Sequence, residues 1–253
     1  PDTENDNLAI GYDALGGSIN GGEYNVAIGN YSLDANTTGD YNVAVGYNSL
    51  TGNTTGGDNI GTGYQSLNAN ITGFQQVAIG NYSLLSNTTG ARNVAIGHLS
   101  LAANTTAHYN TAIGYYALKE ANRTSDVYGY NTALGYQAGR TGTNNITTGD
   151  KNVLLGASTA ASQAAASNQI VIGYGATGTG DNSVSLGNTS VGSIKGQVAF
   201  STYSDRRIKK NIVDNELGLA FINKLHPVKY NLKNPADYPE VLLEERFKTG
   251  DES

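Results

Sequence analysis

Few side chains in this sequence could perform chemistry, and their types restrict what that chemistry could be. The 253 residues include no cysteine, which excludes a disulfide framework, a thiolate metal site and a cysteine nucleophile. His98 and His108 have neither a carboxylate nor a second histidine at metal-ligand spacing, so we expect structural or solvent-facing roles for them. No pair of carboxylates recurs at a fixed position of the repeat described below, which argues against a glycosidase site. We therefore expect no metal and no cofactor.

Charged side chains are sparse and unevenly distributed. The net charge is −6, whereas a general nucleic-acid binder would carry a basic stripe. Residues 201–253 hold 18 of the 36 charged side chains, nine of each sign, so the basic cluster Arg206, Arg207, Lys209 and Lys210 is interpreted as a solvated surface. No segment approaches the roughly 20 apolar residues of a membrane helix. Neither a nucleic-acid partner nor membrane insertion is expected.

Composition divides the chain near residue 200. Residues 1–200 contain 31 of the 33 glycines, and residues 201–253 contain three of the four prolines. We predict a repeat domain over residues 1–195, an exit strand or linker over residues 196–204, and a separate segment over residues 205–253.

The first segment is built from an internal repeat. Apolar pulses that end in glycine recur at intervals of 18, then 17 five times, then 21, 21, 17 and 14 residues. The glycines are Gly11, Gly29, Gly46, Gly63, Gly80, Gly97, Gly114, Gly135, Gly156, Gly173 and Gly187. In most copies valine or isoleucine stands three residues before the glycine, a small residue such as alanine follows it, and a second aliphatic residue precedes the glycine. Leucine stands four residues after the glycine in the first seven copies.

This pattern predicts an all-β fold. Short β-branched runs bounded by glycine and asparagine turns are typical of strands, and a 17-residue unit has room for two short strands and two turns but not for a helix pair. Units of this size cannot bury an apolar face alone, so they must stack. The expected architecture is a parallel β-solenoid, or β-roll, of about ten coils. At about 4.8 Å per coil it would be about 50 Å long.

Two side-chain columns are expected along this solenoid. Asparagine stands four residues before most repeat glycines, with Gln76 once, and stacked coils would align these amides into a hydrogen-bonded ladder. Tyrosines directly after the glycine would stack in a row, interpreted as packing, with a carbohydrate-contacting surface as the alternative. These tyrosines are Tyr12, Tyr47, Tyr64, Tyr115 and Tyr136.

Several asparagines also match the Asn-x-Thr/Ser pattern of glycan acceptors. They include Asn36, Asn53, Asn87, Asn104 and Asn122. Because Asn-Thr-Thr-Gly is also ordinary turn chemistry, we favour a turn over a modification site.

The Val-Ala-Ile strands predict self-association. Valine and isoleucine share one face of such a strand, and alanine points to the other. Both faces are apolar, yet a single coil has only one interior. We expect sister chains to cover the alanine-lined face, since alanine allows close approach.

The repeat resembles a known family. The pulses Asn25–Leu33 and Asn93–Leu101 are similar to the head repeats of trimeric autotransporter adhesins, over about residues 7–190, although the coils here are longer. The resemblance implies a left-handed parallel β-roll that assembles as a homotrimer.

The carboxy-terminal residues predict a short α+β segment. Gly196–Tyr203 alternates apolar residues as a last strand or exit linker would. Leu217, Phe221 and Leu225 recur every four residues and predict a helix over about 216–225, which Pro227 ends. A short strand over 228–232 and a second helix over 240–247 are expected to follow.

The run Ser204–Ile212 carries a second resemblance. It matches the Ser-Asp-x-Arg-[Leu/Ile]-Lys-x-x-Ile hallmark of the endosialidase-type intramolecular chaperone of phage tail spikes and tail fibres, and Leu217–Tyr230 resembles its continuation. The resemblance implies that residues 205–253 are the amino-terminal part of a domain that trimerises, assists folding of the preceding fibre and cleaves itself. It further implies cleavage at Ser204–Asp205, with Ser204 as nucleophile and Lys209 as base. Burial lowers the pKa of a lysine, and the neutral lysine can then take the proton of a serine hydroxyl.

Three functional hypotheses follow. The leading one is a structural and receptor-binding part of a virus or phage tail fibre, a homotrimer located at the tail tip, with a host surface receptor that could be a carbohydrate. A bacterial trimeric surface adhesin head is the alternative. An ice-binding solenoid is a minor one, suggested by threonine pairs at 37–38, 54–55, 88–89 and 105–106. Serine–lysine self-cleavage is the only enzymatic activity expected.

Overall fold

A computed structural model describes residues 6–17, 20–124 and 128–195, and over these residues the fold is all-β. Eleven parallel strands form one sheet in chain order. They are β1 (Leu8–Ile10), β2 (Val26–Ile28), β3 (Val43–Val45), β4 (Ile60–Thr62), β5 (Val77–Ile79), β6 (Val94–Ile96), β7 (Thr111–Ile113), β8 (Thr132–Leu134), β9 (Val153–Leu155), β10 (Ile170–Ile172) and β11 (Val184–Leu186). The predicted parallel β-solenoid of about ten coils is confirmed. No helix long and apolar enough to cross a bilayer occurs among the described residues.

Each coil contributes one three-residue strand, and the strand register equals the sequence repeat. Val43 of β3 pairs with Val26 of β2, one 17-residue interval earlier. The prediction of two strands per coil is wrong, because the part of each coil after the glycine forms turns. Left-handed residues recur there, as at Tyr31 (φ 60°) and Leu33 (φ 51°) in the coil that begins at Gly29, and these angles are incompatible with extended backbone.

The interior of the solenoid is lined by the small middle residue of each strand and by the leucine four residues after the glycine. Ala27 and Leu33 are fully buried, as are their equivalents along most of the sheet. The expected orientation of the strands is therefore wrong: alanine points inward, and the flanking valine and isoleucine point outward. Where the leucine fills the coil, little space remains at this position, and the larger Leu154 and Val171 are buried here only in coils without that leucine. At Gly61, which replaces the alanine, an added Cβ would lie 2.7 Å from Ser49 Oγ and 3.3 Å from Leu50 Cδ1.

Burial of the leucines outweighs the backbone strain at the same residues. A non-glycine residue in the left-handed region costs about 1–2 kcal/mol. Full burial of a leucine side chain contributes about 1.5–3 kcal/mol. The series Leu33, Leu50, Leu67, Leu84, Leu101 and Leu118 is buried completely with φ between 47° and 52°. Leucine in this position is therefore a net stabiliser of the coil.

The repeat glycines allow adjacent coils to approach each other. At Gly46 (φ 138°) an added Cβ would lie 2.7 Å from the carbonyl carbon of Gly63, the equivalent residue of the next coil. Both the dihedral angle and the space exclude a side chain here. This explains why glycine, and not another small residue, ends every pulse.

Two ladders of buried amides run along the interior. The predicted one is confirmed: Asn42 Nδ2 donates to Asn25 Oδ1 at 3.1 Å, and its backbone N–H donates to the same oxygen at 2.9 Å. The second ladder was not predicted. It consists of Asn36, Asn53, Asn70, Asn87 and Asn104, each buried and each hydrogen-bonded to the preceding one through Nδ2 and Oδ1 at 2.8–3.0 Å.

Candidate interaction surfaces

The predicted catalytic residues cannot be placed by this structure. Ser204, Asp205 and Lys209 lie outside the described residues, as do the basic cluster and the segments for which an exit strand or linker, two helices and a short strand are predicted. The surfaces that the described residues form are those of the solenoid.

The outward side of the sheet is a continuous apolar surface. We call it the outer sheet face and define it as the first and third residues of strands β1–β11. Every one of these side chains is aliphatic or threonine. Their exposure is substantial at Ile60 (39%), Ile79 (40%) and Leu134 (49%). Large contiguous apolar patches are uncommon on monomeric soluble proteins and mark interaction sites.

An aromatic column lies beside this face, immediately after the glycine bend. We define the tyrosine column as Tyr12, Tyr31, Tyr47, Tyr64 and Tyr82. Consecutive ring centroids are 5.2–5.8 Å apart, with Tyr47 and Tyr64 stacked at 9° and the other pairs edge-to-face. The predicted row of stacked tyrosines is thus confirmed, and it contains more tyrosines than predicted.

Two of these tyrosines, Tyr31 and Tyr82, stand two residues after the glycine and were missed. The signal was in the sequence, because each lies in a copy with asparagine directly after the glycine, at Asn30 and Asn81. These two rings continue the column in the two coils where asparagine, and not tyrosine, directly follows the glycine.

His98 extends the column in the carboxy-terminal direction. Its ring contacts Tyr82 at 5.7 Å and stacks on Tyr115 at 5.3 Å, and Tyr115 stacks on Tyr136 at 5.6 Å. His98 therefore has a packing role in this structure.

A second set of rings lies five residues before the repeat glycines, ahead of the strands. Tyr24 and Tyr41 stack at 5.1 Å, and Tyr109 and Tyr130 at 5.2 Å. Between these pairs the guanidinium of Arg92 lies 5.5 Å from the Tyr109 ring centroid. Rings thus border the sheet on both sides.

His108 joins two coils through its ring. Its Nδ1 accepts a hydrogen bond from the backbone N–H of Ala91 at 2.6 Å. Asp40 Oδ1 accepts from the Glu23 N–H in the equivalent position of an earlier pair of coils. Desolvation lowers the pKa of His108, and the charge of Arg92 lowers it further. The neutral imidazole is the form that this contact requires.

The charges of the solenoid are segregated along the chain. Residues 1–91 contain eight acidic residues and no lysine or arginine, and Arg92 is the first basic residue. The tyrosine column lies entirely within this acidic portion. Desolvation raises the pKa of Tyr31, and Tyr12 and the Asp13 carboxylate raise it further.

The regular pattern changes where the interval lengthens to 21 residues. Ala121 occupies the position of the second amide ladder, which therefore ends at Asn104, whose Oδ1 is buried and has no hydrogen-bond partner. Nearby, Arg140 pairs with Glu120 at 2.8 Å and lies 4.6 Å from the Tyr116 ring centroid. The first amide ladder continues here, through Asn131 and Asn152.

The sequence motifs for glycan attachment are largely inaccessible. Asn36, Asn53, Asn87 and Asn104 are fully buried. Each Nδ2 donates to a carbonyl oxygen of its own turn, as Asn53 does to Gly56 at 2.9 Å. Their role is in the turn and ladder, as the turn interpretation predicts.

Comparison with known proteins identifies the carboxy-terminal segment. Residues 204–250 match the model of a protein family described as the chaperone of endosialidase. No curated protein matches the chain. The segment that carries the Ser204–Ile212 motif is therefore similar to this chaperone family, which supports the second resemblance stated above.

Proposed function

We propose that this chain is a structural and receptor-binding part of a virus or phage tail fibre, assembled as a homotrimer with the help of its carboxy-terminal chaperone segment. The observations that support this most directly are the outer sheet face, which is aliphatic or threonine along all eleven strands, and the match of residues 204–250 to a chaperone family. The repeat's similarity to trimeric adhesin heads adds to the argument. We place the protein at the virion tail.

The outer sheet face has the properties of a surface between copies of one chain. It carries no charge, and on the side away from the tyrosine column it is bordered by stacked rings such as Tyr24 and Tyr41, a residue type that is enriched at interface cores. Eleven strands at about 4.8 Å spacing give it a length of about 50 Å. Sister chains would meet on valine and isoleucine and not on alanine. We therefore change the face that is proposed to form the contact and keep the prediction that the chains associate.

The chaperone segment would act on assembly and then on itself. In the self-cleavage that we propose, Lys209 takes the hydroxyl proton of Ser204, and the activated oxygen attacks the carbonyl carbon of the Ser204–Asp205 bond. The Asp205 nitrogen leaves with a proton from Lys209, and water opens the resulting four-membered lactone, in which the Ser204 oxygen is bonded to the carbonyl carbon of the same residue. Lowering of the lysine pKa requires burial, which the assembled trimer would supply.

The other two hypotheses have less support. A surface adhesin head would share the solenoid but does not account for the chaperone match at residues 204–250. In an ice-binding solenoid the threonine hydroxyls should face solvent. Here Thr37 Oγ1 donates to the Thr54 carbonyl at 2.9 Å, and Thr88 Oγ1 to the Thr105 carbonyl at 3.1 Å, so these hydroxyls already link successive coils.

The mass of the assembly tests the proposal. Light scattering on the full chain, and electrophoresis of the unheated protein in detergent, should both give three times the chain mass of 26.4 kDa, or three times that of a processed product. A monomer at micromolar concentration would eliminate the trimeric fibre.

A further inference from the structure

The tyrosine column combines three properties that together suggest a ligand. Three of its five rings are exposed, Tyr12 at 64%, Tyr47 at 44% and Tyr64 at 39%, and Tyr31 and Tyr82 are half-buried. They form an unbroken line parallel to the solenoid axis. They lie in the portion of the chain that has acidic residues and no basic ones.

We propose that the tyrosine column binds an extended, neutral polysaccharide that lies along the solenoid. This inference rests on the proposed attachment function and names the chemistry of the receptor. Tyrosine offers an apolar ring and a hydroxyl on one rigid side chain, a combination suited to the CH faces and hydroxyl groups of sugars.

The repeat distance of the column fits a polymer. Ring centroids recur every 5.2–5.8 Å from Tyr12 to Tyr82. This spacing is close to the length of one pyranose unit in an extended, unbranched chain. One sugar per coil could therefore contact the column in the same way at successive positions.

Ring orientation alternates in a way that offers both edges and faces. Tyr47 and Tyr64 stack on each other, so they present their edges and hydroxyls. Tyr31 stands at 79° and 82° to its two neighbours, and Tyr82 at 74° to Tyr64. A chain along the column would therefore meet rings in two orientations.

Charge decides the class of polysaccharide. Asp13 and Asp34 act on the column, and residues 1–91 contain no cation to oppose them. A polyanion such as polysialic acid would be repelled by this surface. The match to the chaperone of endosialidase therefore does not imply that this column binds an acidic glycan.

Affinity measurements on the full chain test the inference. The probes are neutral hexasaccharides of several linkages, including cellohexaose, with polysialic acid as the anionic arm. The test variant is Tyr47→Ala with Tyr64→Ala, and Tyr47→Phe with Tyr64→Phe retains the rings. The control is Tyr174→Ala, since Tyr174 is 75% exposed and also follows a repeat glycine, but lies outside the column.

We expect at least one neutral hexasaccharide to bind, with affinity at least tenfold lower in the alanine double variant and within twofold of wild type in the control. The phenylalanine variant should fall between them. Isothermal titration calorimetry measures the affinity of each variant, because the substitutions remove two of the 17 tyrosines on which a fluorescence signal would depend.

Three results would overturn the inference: no neutral hexasaccharide binds, polysialic acid binds more tightly, or the alanine variant binds as wild type does. Light scattering on each variant distinguishes loss of glycan binding from loss of the trimer. A trimer of correct mass that binds no glycan would reject the column as a receptor site and leave the assembly intact.

Discussion

The Nδ2 atom of Asn87 donates a hydrogen bond to Oδ1 of Asn70, one coil earlier, at 2.9 Å. The same nitrogen donates to the Gly90 carbonyl at 3.0 Å, and Oδ1 of Asn87 accepts from Asn104 at 2.8 Å. One buried amide thus holds its own turn and two neighbouring coils. Removing it leaves buried donors and acceptors without partners, which is more costly than losing the hydrogen bonds alone.

Asn87→Ala should therefore lower the free energy of unfolding by about 1–3 kcal/mol. Asn68→Ala is the control, because Asn68 is only partly buried and its one side-chain bond, to Asn48 O, is 3.3 Å long. Urea unfolding followed by circular dichroism measures both. Equal effects of the two substitutions would show that the ladder contributes nothing special.

Glycine substitutions separate backbone strain from steric overlap. Gly142→Ala should cost about 1–2 kcal/mol, since φ is 97° and no atom lies within 4 Å of the added Cβ. Gly63→Ala adds overlap with the Gly80 carbonyl carbon at 2.7 Å, so we expect about 1–3 kcal/mol more. Thermal unfolding midpoints report the difference. A Gly63 variant as stable as the Gly142 variant would contradict the tight contact between coils.

Charges on the outer sheet face should prevent assembly without unfolding the coil. Ile60→Lys with Ile79→Lys places two cations on adjacent strands β4 and β5, where both side chains already point outward. We expect light scattering to give a monomer with an unchanged circular dichroism spectrum. Thr89→Lys, in an exposed turn, is the matched control and should remain a trimer. A trimer in the double variant would place the contact elsewhere.

His108 should make the solenoid weaker in mild acid. The unfolded chain has the ordinary histidine pKa of 6.5, and the folded chain has a lower one, so the unfolded state binds more protons below that pH. The contribution of His108 is complete above pH 6.5 and decreases as the pH falls toward the folded-state pKa. Urea unfolding at pH 7.5 and at pH 5 measures this loss.

His108→Asn retains an acceptor for the Ala91 N–H but does not titrate in this range. The loss of stability between pH 7.5 and pH 5 should be smaller in this variant than in wild type. An identical pH profile in the two proteins would assign the acid sensitivity to other groups.

Expression of the full gene should reveal the proposed cleavage. Intact mass spectrometry of wild type should show a product that ends at Ser204, and Ser204→Ala should abolish it because the hydroxyl is the nucleophile. Lys209→Gln should do the same, since glutamine cannot take the proton. Identical masses for wild type and Ser204→Ala would reject the serine–lysine pair.

Spacing alone was sufficient to predict the stacked coils and the Asn25–Asn42 amide ladder, because a fixed interval in a solenoid places equivalent residues above each other. It could not decide which face of a Val-Ala-Ile strand turns inward. Alternation defines two faces, and only the width of the coil, filled from the other side by Leu33 and its equivalents, selects alanine for the interior.

The second ladder was missed for a related reason. Asn36 and Asn53 occur in sequences that are good turns, and turns are usually exposed. In a solenoid the turn itself stacks, so its asparagines are buried by the coils on either side. The columns of tyrosine were predicted in part, because only the position directly after the glycine was considered.

The repeated coil contact has a consequence for how such a protein changes size. Each coil contacts the next through the same backbone groups, glycines and amides. Any coil can therefore pack against any other in the same way. Loss of residues 64–80 would join Gly63 to Asn81 and leave every remaining coil with a suitable neighbour. The length of the solenoid can therefore change by duplication or deletion of whole coils, including coils of 21 residues, which keep the same strand register.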